Sequence, residues 1–596
     1  MTATTTRTTR GRVTIAVLII VAVVSVFVVR LVDIQIVQAD GLNATSLASR
    51  SDSTVTLGTR GDIVDANGVV LATSILRYAI EADPSAVDEF TRPAGDGSED
   101  EVDVSAEQAI AELAAAMGLD PAVITAILTA DESSRYALIS KSVDVTTYNA
   151  IRALDIPWLY YKADQSRTYP DGSVAGNLVG FVGDDGAALA GTELTQDSCL
   201  AGSNGSEITE TGEDGVAIPG STVTVTDAVD GGDVQLTINS DLQYFSQEAL
   251  AQRVTEVGAE SGTVVVTEVK TGKILAAAEY PTVDPNNIDG TDPAYRGAKV
   301  FSDPFEPGST FKSITAASLI DAGVATPNSQ VLAPYEYRSG DAVIHDSFFH
   351  APMRWTLTGV IEQSSNTGIS MLSNNMSVDA RWDYMNRFHL GTATEVGFVG
   401  EDSGDILPGD VSGPTQLDDQ TIYNTTFGQG LTVTAVQMAS AYQAIANNGV
   451  RMPVQLFEGC RHDDGTVTDA PPASTGEQVI SPQAAQETVH MMESVATTGY
   501  AASALKIPGY RVSAKTGTAE MSDGSGAYGG AYLTSMAGMA PSDDPQYVVS
   551  VTIRKPVTIT SGLAAAPVFQ KVLSQVLKTY RVQPSTVPAP DLPTTY

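Results

Sequence analysis

Seventeen consecutive uncharged residues, VTIAVLIIVAVVSVFVV from Val13 to Val29, constrain this chain more than any other stretch. At about 1.5 Å rise per residue a helix of that length spans roughly 26 Å, close to the hydrocarbon thickness of a bilayer. The preceding MTATTTRTTRGR carries three arginines and no acid, which holds that end in the cytoplasm and places the bulk of the chain outside. The expected localisation is therefore a cell membrane, single-pass, with residues 1–12 as a cytoplasmic tail and 13–29 as the transmembrane helix. A cleaved signal peptide is the competing reading, since Val37-Gln38-Ala39 loosely fits a cleavage site. The length of the run and the charges at Arg30 and Asp33 speak against it.

The 596 residues exceed what one core organises, so two or more domains are expected, and 43% hydrophobic residues suffice to bury them. Lys and Arg number 33 against 71 Asp and Glu, a net charge of −38. Nucleic-acid binding needs clustered cations and is excluded; the acidity reads as a solvated exterior. Cys199 and Cys460 lie 261 residues apart, a spacing that permits a disulfide outside the cell without requiring one. His345 and His350 flank DSFF without metal-ligand spacing and read as structural or loop residues. No metal and no cofactor are called for.

Residues 30–230 begin with a stalk and alternate short strand-like runs with acidic, glycine-rich loops. Without a nucleophile pair or metal pattern, this region reads as a non-catalytic pedestal or dimerisation-type domain. From residue 231 the texture changes: SGTVVVTEV and GKILAAAEY form two strands around the turn at Lys270 to Gly272. Helical runs follow, among them one with a capping box at Thr434 and Gln437 and a stop at Gly449. Three strands and a last helix complete residues 231–580. Two strands, many helices and three strands predict an antiparallel sheet packed by helices, an α+β fold. The tail 581–596, with four prolines, is expected to be disordered or extended.

EPGSTFKSITAASLIDAG sets Ser309 three positions before Lys312 at the start of a helix. That spacing shares a helix face, so the lysine amine can reach the serine hydroxyl, and the apolar Phe311, Ile314, Ala317 and Ile320 can bury and so deprotonate it. Taken alone, a serine cap with a snorkelling lysine is the simpler reading. Two further matches reverse it. Ser364-Ser365-Asn366 stands 55 residues on, and Lys515-Thr516-Gly517-Thr518 stands 149 residues past Asn366, inside a strand. SxxK, SxN and KTG in this order form the site of an acyl-transferring serine. Thr516 and Thr518 can hold a substrate carboxylate, Gly517 leaves room for a substrate backbone along the strand, and Lys515 adds a positive charge that opposes protonation of Lys312. The amides of Ser309 and Thr518 are the expected oxyanion donors.

At these residues the chain resembles the class B penicillin-binding proteins, most closely the division-type (FtsI-like) transpeptidases. RGDIVDANGVVLA, YPDGSVAGNLVGFVG, GTELTQDSCLAG, FEPGSTFK, GQGLTVTAVQMASAYQAIANNG and AKTGTAE carry the resemblance, which runs from the membrane segment to about residue 575. It implies a transpeptidase domain on an elongated pedestal and attack of Ser309 on the D-Ala-D-Ala bond of a peptidoglycan stem, with an acyl-enzyme resolved by an amine of a neighbouring stem. Lys312 would be general base, Ser364 and Lys515 a proton relay, Asn366 an orienter of the substrate amide, and Thr516 to Thr518 the carboxylate and backbone site. β-Lactams would acylate Ser309. The implied partners are stem peptides and their lipid-linked precursor, a membrane glycan polymerase of the FtsW/RodA type, and other divisome proteins. Two positions depart from the family pattern: Ala514 stands where glycine often precedes the KTG lysine, and Ala66 where arginine is common. A bifunctional synthase would need a glycosyltransferase motif, yet the first histidine is His345. The remaining alternatives are a D,D-carboxypeptidase or β-lactamase-like hydrolase and a non-catalytic divisome scaffold. A β-lactam sensor lacks room for an intracellular output.

Overall fold

The computed structural model describes residues 6–39, 41–42, 50–94, 101–212, 218–408, 411–522 and 528–596. Two compact units emerge: residues 1–59 with 202–231, and residues 60–201 with 232–596. In the first, Thr6–Val32 is one helix, and every described side chain from Gly11 to Val32 is exposed. It is long and apolar enough to cross a membrane, and it exceeds the expected 13–29 at both ends. The same unit holds a three-stranded antiparallel sheet of Ser51–Thr56, Gly205–Glu210 and Val223–Thr226.

The second unit is α+β. Its central sheet consists of β1 (Ser261–Glu268), β2 (Ile274–Tyr280), β3 (Ser513–Ser522), β4 (Tyr528–Ala540) and β5 (Tyr547–Arg554), in the order β2-β1-β5-β4-β3 and antiparallel throughout. Two early strands and three late ones thus close around the helices between them, because the nearly continuous apolar runs of β1, β2 and β5 are buried on both faces. α1 (Lys312–Asp321), α2 (Leu357–Gln363), α3 (Asn366–Ser373) and α4 (Ala435–Ala446) contribute to the helical core. α4 starts on the Thr434–Gln437 capping box and all twelve of its residues are buried.

Residues on both sides of position 230 share one core. A seven-stranded sheet joins Ile63–Val64, Val70–Ala82, Ala137–Val143 and Leu159–Thr168 to Asp233–Leu236, Phe457–Arg461 and Val467–Thr468. Cys199 and Cys460 are bonded across this core, Cα to Cα 5.8 Å, a pairing the sequence left open. The tail corrects the disordered half of its expectation. It is extended and docked: the Thr356 amide donates to the Thr594 carbonyl at 3.1 Å, Thr356 Oγ1 to the Pro593 carbonyl at 2.6 Å, and Ser585 Oγ to Asp543 at 2.6 Å. Prolines cannot donate, but their carbonyls accept, and the neighbouring side chains supply the donors.

RGDI, SRTYPDG and GTEL owe their character to one buried charge cluster. Glu193, fully buried, accepts from Arg60 Nε at 2.7 Å and from Arg167 Nε at 2.7 Å, and Arg60 also pairs with Asp197 at 2.6 Å. Replacing Glu193 with leucine leaves two guanidiniums facing each other out of water, and we expect a loss of about 3–5 kcal/mol of stability. Denaturant unfolding of the variant against wild type measures it; a change within error would mean that the cluster is solvated.

Candidate active site

Ser309 is not a helix cap. Gly308–Phe311 forms a 3-10 turn that runs directly into α1, and in a 3-10 turn residues i and i+3 eclipse, stacking Lys312 over Ser309 more closely than an α-helix would. The turn is clamped on three sides. The Gly308 amide donates to the Gly428 carbonyl at 2.8 Å, Tyr442 of α4 donates to the Thr310 carbonyl at 2.8 Å, and Ser535 of β4 to the Pro307 carbonyl at 3.3 Å. Gly308 has φ +58°, and a Cβ there would meet the Thr518 carbonyl oxygen at 2.8 Å, so glycine is required where the turn meets β3.

From the opposite side, the break between α2 and α3 presents the SxN residues. Ser364 takes the left-handed conformation, φ +59°, and so ends α2, while Ser365 caps α3 by accepting from the Gly368 amide at 2.8 Å. The third wall is β3, an edge strand, whose Lys515 reaches back across the cleft.

The structure brings together six of the residues singled out in the sequence through hydrogen bonds among themselves. Lys312 Nζ lies 3.0 Å from Ser309 Oγ, 2.5 Å from the Ser364 carbonyl, 2.6 Å from Asn366 Oδ1 and 3.3 Å from Ser364 Oγ. Lys515 Nζ donates to Ser364 Oγ at 2.8 Å and to the Thr516 carbonyl at 2.9 Å. Both lysines are fully buried, whereas Ser309 is half-buried and open to a substrate. Burial drives the Lys312 ammonium down to about 7, against the opposing pull of the Asp346 carboxylate. Burial, and then the Lys312 charge, hold Lys515 well below the ordinary lysine range. The like-charge repulsion expected to act on Lys312 thus falls on Lys515.

This arrangement suits a neutral amine at Lys312. The Ser364 carbonyl and Asn366 Oδ1 can only accept, so the two N–H bonds of the amine point at them and its lone pair faces the Ser309 hydroxyl. The site can take a proton from the serine and pass one toward Ser364 Oγ, which Lys515 holds.

Of the KTG residues, Thr516 is buried and Thr518 half-exposed on β3. Gly517 has a different reason for being glycine than the one expected. A Cβ there would lie 2.1 Å from Ser535 Oγ and 3.1 Å from the Pro307 carbonyl, so its absence admits the nucleophile turn. Sequence reasoning missed Tyr500, whose hydroxyl lies beside the Thr516 side chain, and Asp346, whose carboxylate receives Ser365 Oγ at 2.8 Å and the Thr367 amide at 3.0 Å. The available signal for Asp346 was an acid set between two apolar runs in AVIHDSFF, eighteen residues before the SxN motif.

Fold and site together define an acyl-transferring enzyme that works through a serine with a buried lysine partner. The profile described as the penicillin-binding protein transpeptidase domain matches residues 262–574, and that of the penicillin-binding protein dimerisation domain matches 55–236. The chain belongs to the penicillin-binding protein transpeptidase family. It is 34% identical to penicillin-binding protein PbpB of Mycolicibacterium smegmatis, covering 96% of this chain and 91% of that one. Identity to the peptidoglycan D,D-transpeptidase FtsI of Escherichia coli is 32%, over 89% of this chain and 85% of that one. Among solved structures, penicillin-binding protein 3 of Mycobacterium tuberculosis in complex with aztreonam superposes with a TM-score of 0.69 at 28% identity, covering 91% of this chain and all of that one.

Only the neutral amine accepts a proton, so acylation of Ser309 by an activated acyl donor is expected to rise with pH through a midpoint near 7 and then level off. Stability follows the same sign: the burial penalty is full below about 7 and is relieved as pH climbs toward the unfolded lysine value of about 10.4. Lys312→Arg, which stays protonated, should remove the pH step and at least about 100-fold of the rate. A pH-independent acylation rate in wild type would sink this assignment.

Proposed function

We propose that this chain is a membrane-anchored serine D,D-transpeptidase that crosslinks peptidoglycan stem peptides through an acyl-enzyme on Ser309, in septal wall synthesis, and that β-lactams inhibit it by acylating the same oxygen. The observation that carries the reading is the fully buried Lys312 amine at 3.0 Å from Ser309 Oγ, its N–H bonds directed at Ser364 and Asn366. Ser309 Oγ attacks the carbonyl carbon of the penultimate D-alanine as its proton passes to Lys312 Nζ. Oxygen charge develops against the amides of Ser309 and Thr518. Collapse breaks the C–N bond, and the departing D-alanine amine takes its proton through the Ser364 and Lys515 relay. A neighbouring stem's amine then attacks the ester, restoring Ser309 and forming the crosslink. Asn366 orients the donor amide, and Thr516, Gly517 and Thr518 receive its carboxylate and backbone on β3.

The N-terminal helix supports anchoring, and the arginines before it support a cytoplasmic N-terminus. The functional division proposed is a tail at 1–12, a span at 13–29, a pedestal at 30–230, a transpeptidase region at 231–580 and a C-terminal strap at 581–596. The pedestal and span would dock a glycan polymerase of the FtsW/RodA type and other divisome proteins, beside the lipid-linked precursor that supplies the glycan.

Labelling with a fluorescent penicillin tests the core of this reading. We expect covalent label on wild type, mapped by mass spectrometry to the peptide containing Ser309, and none on Ser309→Ala. Label persisting in Ser309→Ala would remove the nucleophile. Turnover of a donor stem with and without an added amine separates crosslinking from hydrolysis: an amine that leaves the product unchanged would favour a D,D-carboxypeptidase.

A further inference from the structure

We propose that Asp346 and His350 are positioning residues for the Ser364–Asn366 turn, a buried carboxylate–imidazole brace that determines how Lys312 is presented to Ser309. The proposal rests on the acylation reading above and adds to it a control outside the three motifs.

The turn needs a brace. Ser364 sits at φ +59°, a conformation that strains a non-glycine residue and persists only where neighbours hold it. Its own contacts, the carbonyl and hydroxyl aimed at the two lysines, belong to the chemistry. What holds it lies one residue further out. Ser365 Oγ donates to Asp346 Oδ2 at 2.8 Å, the Thr367 amide to Oδ1 at 3.0 Å and Thr367 Oγ1 to Oδ2 at 3.2 Å. The residues on both sides of Asn366 are therefore tied to one carboxylate, itself only 5% exposed. Asn366 is fixed from the same segment, its Nδ2 donating to the His345 carbonyl at 2.8 Å. That bond leaves Oδ1 no orientation but the one facing Lys312.

His350 completes the brace. Its Nε2 is 2.9 Å from Asp346 Oδ2 and its Nδ1 is 2.8 Å from the Ala351 carbonyl, with 8% of the side chain exposed. The carboxylate can only accept, so Nε2 faces it as an N–H donor. Phe348 and Trp355 pack on the ring at 5.2 and 5.1 Å and fix its plane. Asp346 also reaches the chemistry through space, since its charge opposes the burial that deprotonates Lys312. One carboxylate thus sets both the position of the base's partners and its readiness to accept a proton. Asparagine cannot replace it, because an amide offers one oxygen and turns N–H bonds toward groups that already donate.

The test uses the full-length protein and penicillin as the acyl donor, with the acylation rate constant separated from the noncovalent binding constant. Asp346→Asn is expected to lower the rate constant by about 10- to 100-fold while binding changes by less than about three-fold. The midpoint of its pH–rate profile should move to lower pH, because Asp346 is the charge that favours protonation of Lys312 and it has gone, while Lys515 on the other side is itself held well below the ordinary lysine range. His350→Gln, which keeps an N–H for Asp346, should recover most of the rate, and His350→Phe should not. Should Asp346→Asn fail to fold, Ser365→Ala and His350→Phe carry the test. Wild-type acylation rates in those variants, an unmoved pH midpoint in Asp346→Asn, or equal loss in His350→Gln and His350→Phe each overturn the proposal. Label on Ser309→Ala would overturn the acylation reading instead, so the two failures are distinguishable.

Discussion

Two lysines out of water, a few ångströms apart through one serine hydroxyl, are the constraint on which the rest of this structure depends. A buried ammonium costs several kcal/mol unless it is paired or neutral, and Lys312 and Lys515 have no carboxylate in hydrogen-bond contact among the described residues. The fold meets that cost by surrounding them with carbonyl and hydroxyl oxygens and leaving one proton too few. Everything near them serves this end: the 3-10 turn that eclipses Ser309 and Lys312, the left-handed Ser364 and the edge strand carrying Lys515. The low proton affinity of Lys312 beside Ser309 thus follows from a desolvation penalty that the remainder of the domain is stable enough to absorb.

That stability comes from a core larger than the catalytic region alone. The nucleophile turn is wedged between β3 and α4, and α4 packs in turn on the central sheet. Strands from residues 63–168 share a sheet with 233–236 and 457–468, and the Cys199–Cys460 bond and the Arg60–Glu193–Arg167 cluster lock the early segment to the later one. The C-terminal strap ends on Thr356, the cap of α2, the helix that delivers Ser364. Segments that look remote along the chain thereby bear on a turn of four residues.

How far the sequence could be read follows from the range of each interaction. The three motifs were legible because their chemistry is local: a serine and a lysine at i and i+3, a hydroxyl at a helix break and a lysine in a strand each state their geometry in a few residues. The two-early, three-late strand pattern was legible for the same reason, and so was the capping box of α4. Gly517 was legible as a glycine but not for its reason, because the Ser535 hydroxyl that crowds a side chain there comes from the neighbouring strand and the Thr310 and Pro307 atoms behind it from two hundred residues away. Asp346 and Tyr500 carried no motif, and the docked tail looked like a linker because proline-rich composition says nothing of which donors will meet its carbonyls.

Sequence by itself determined the membrane-length apolar helix, the α+β class and the three motifs whose residues the fold brings together, since periodicity, charge and short spacing are properties of neighbouring residues. Tertiary structure alone decided that Cys199 meets Cys460, that Asp346 holds the SxN turn, and that both lysines lie where water does not. Burial and long-range contact are properties of the whole packed chain, and a lysine's readiness to act as a base is set by what surrounds it.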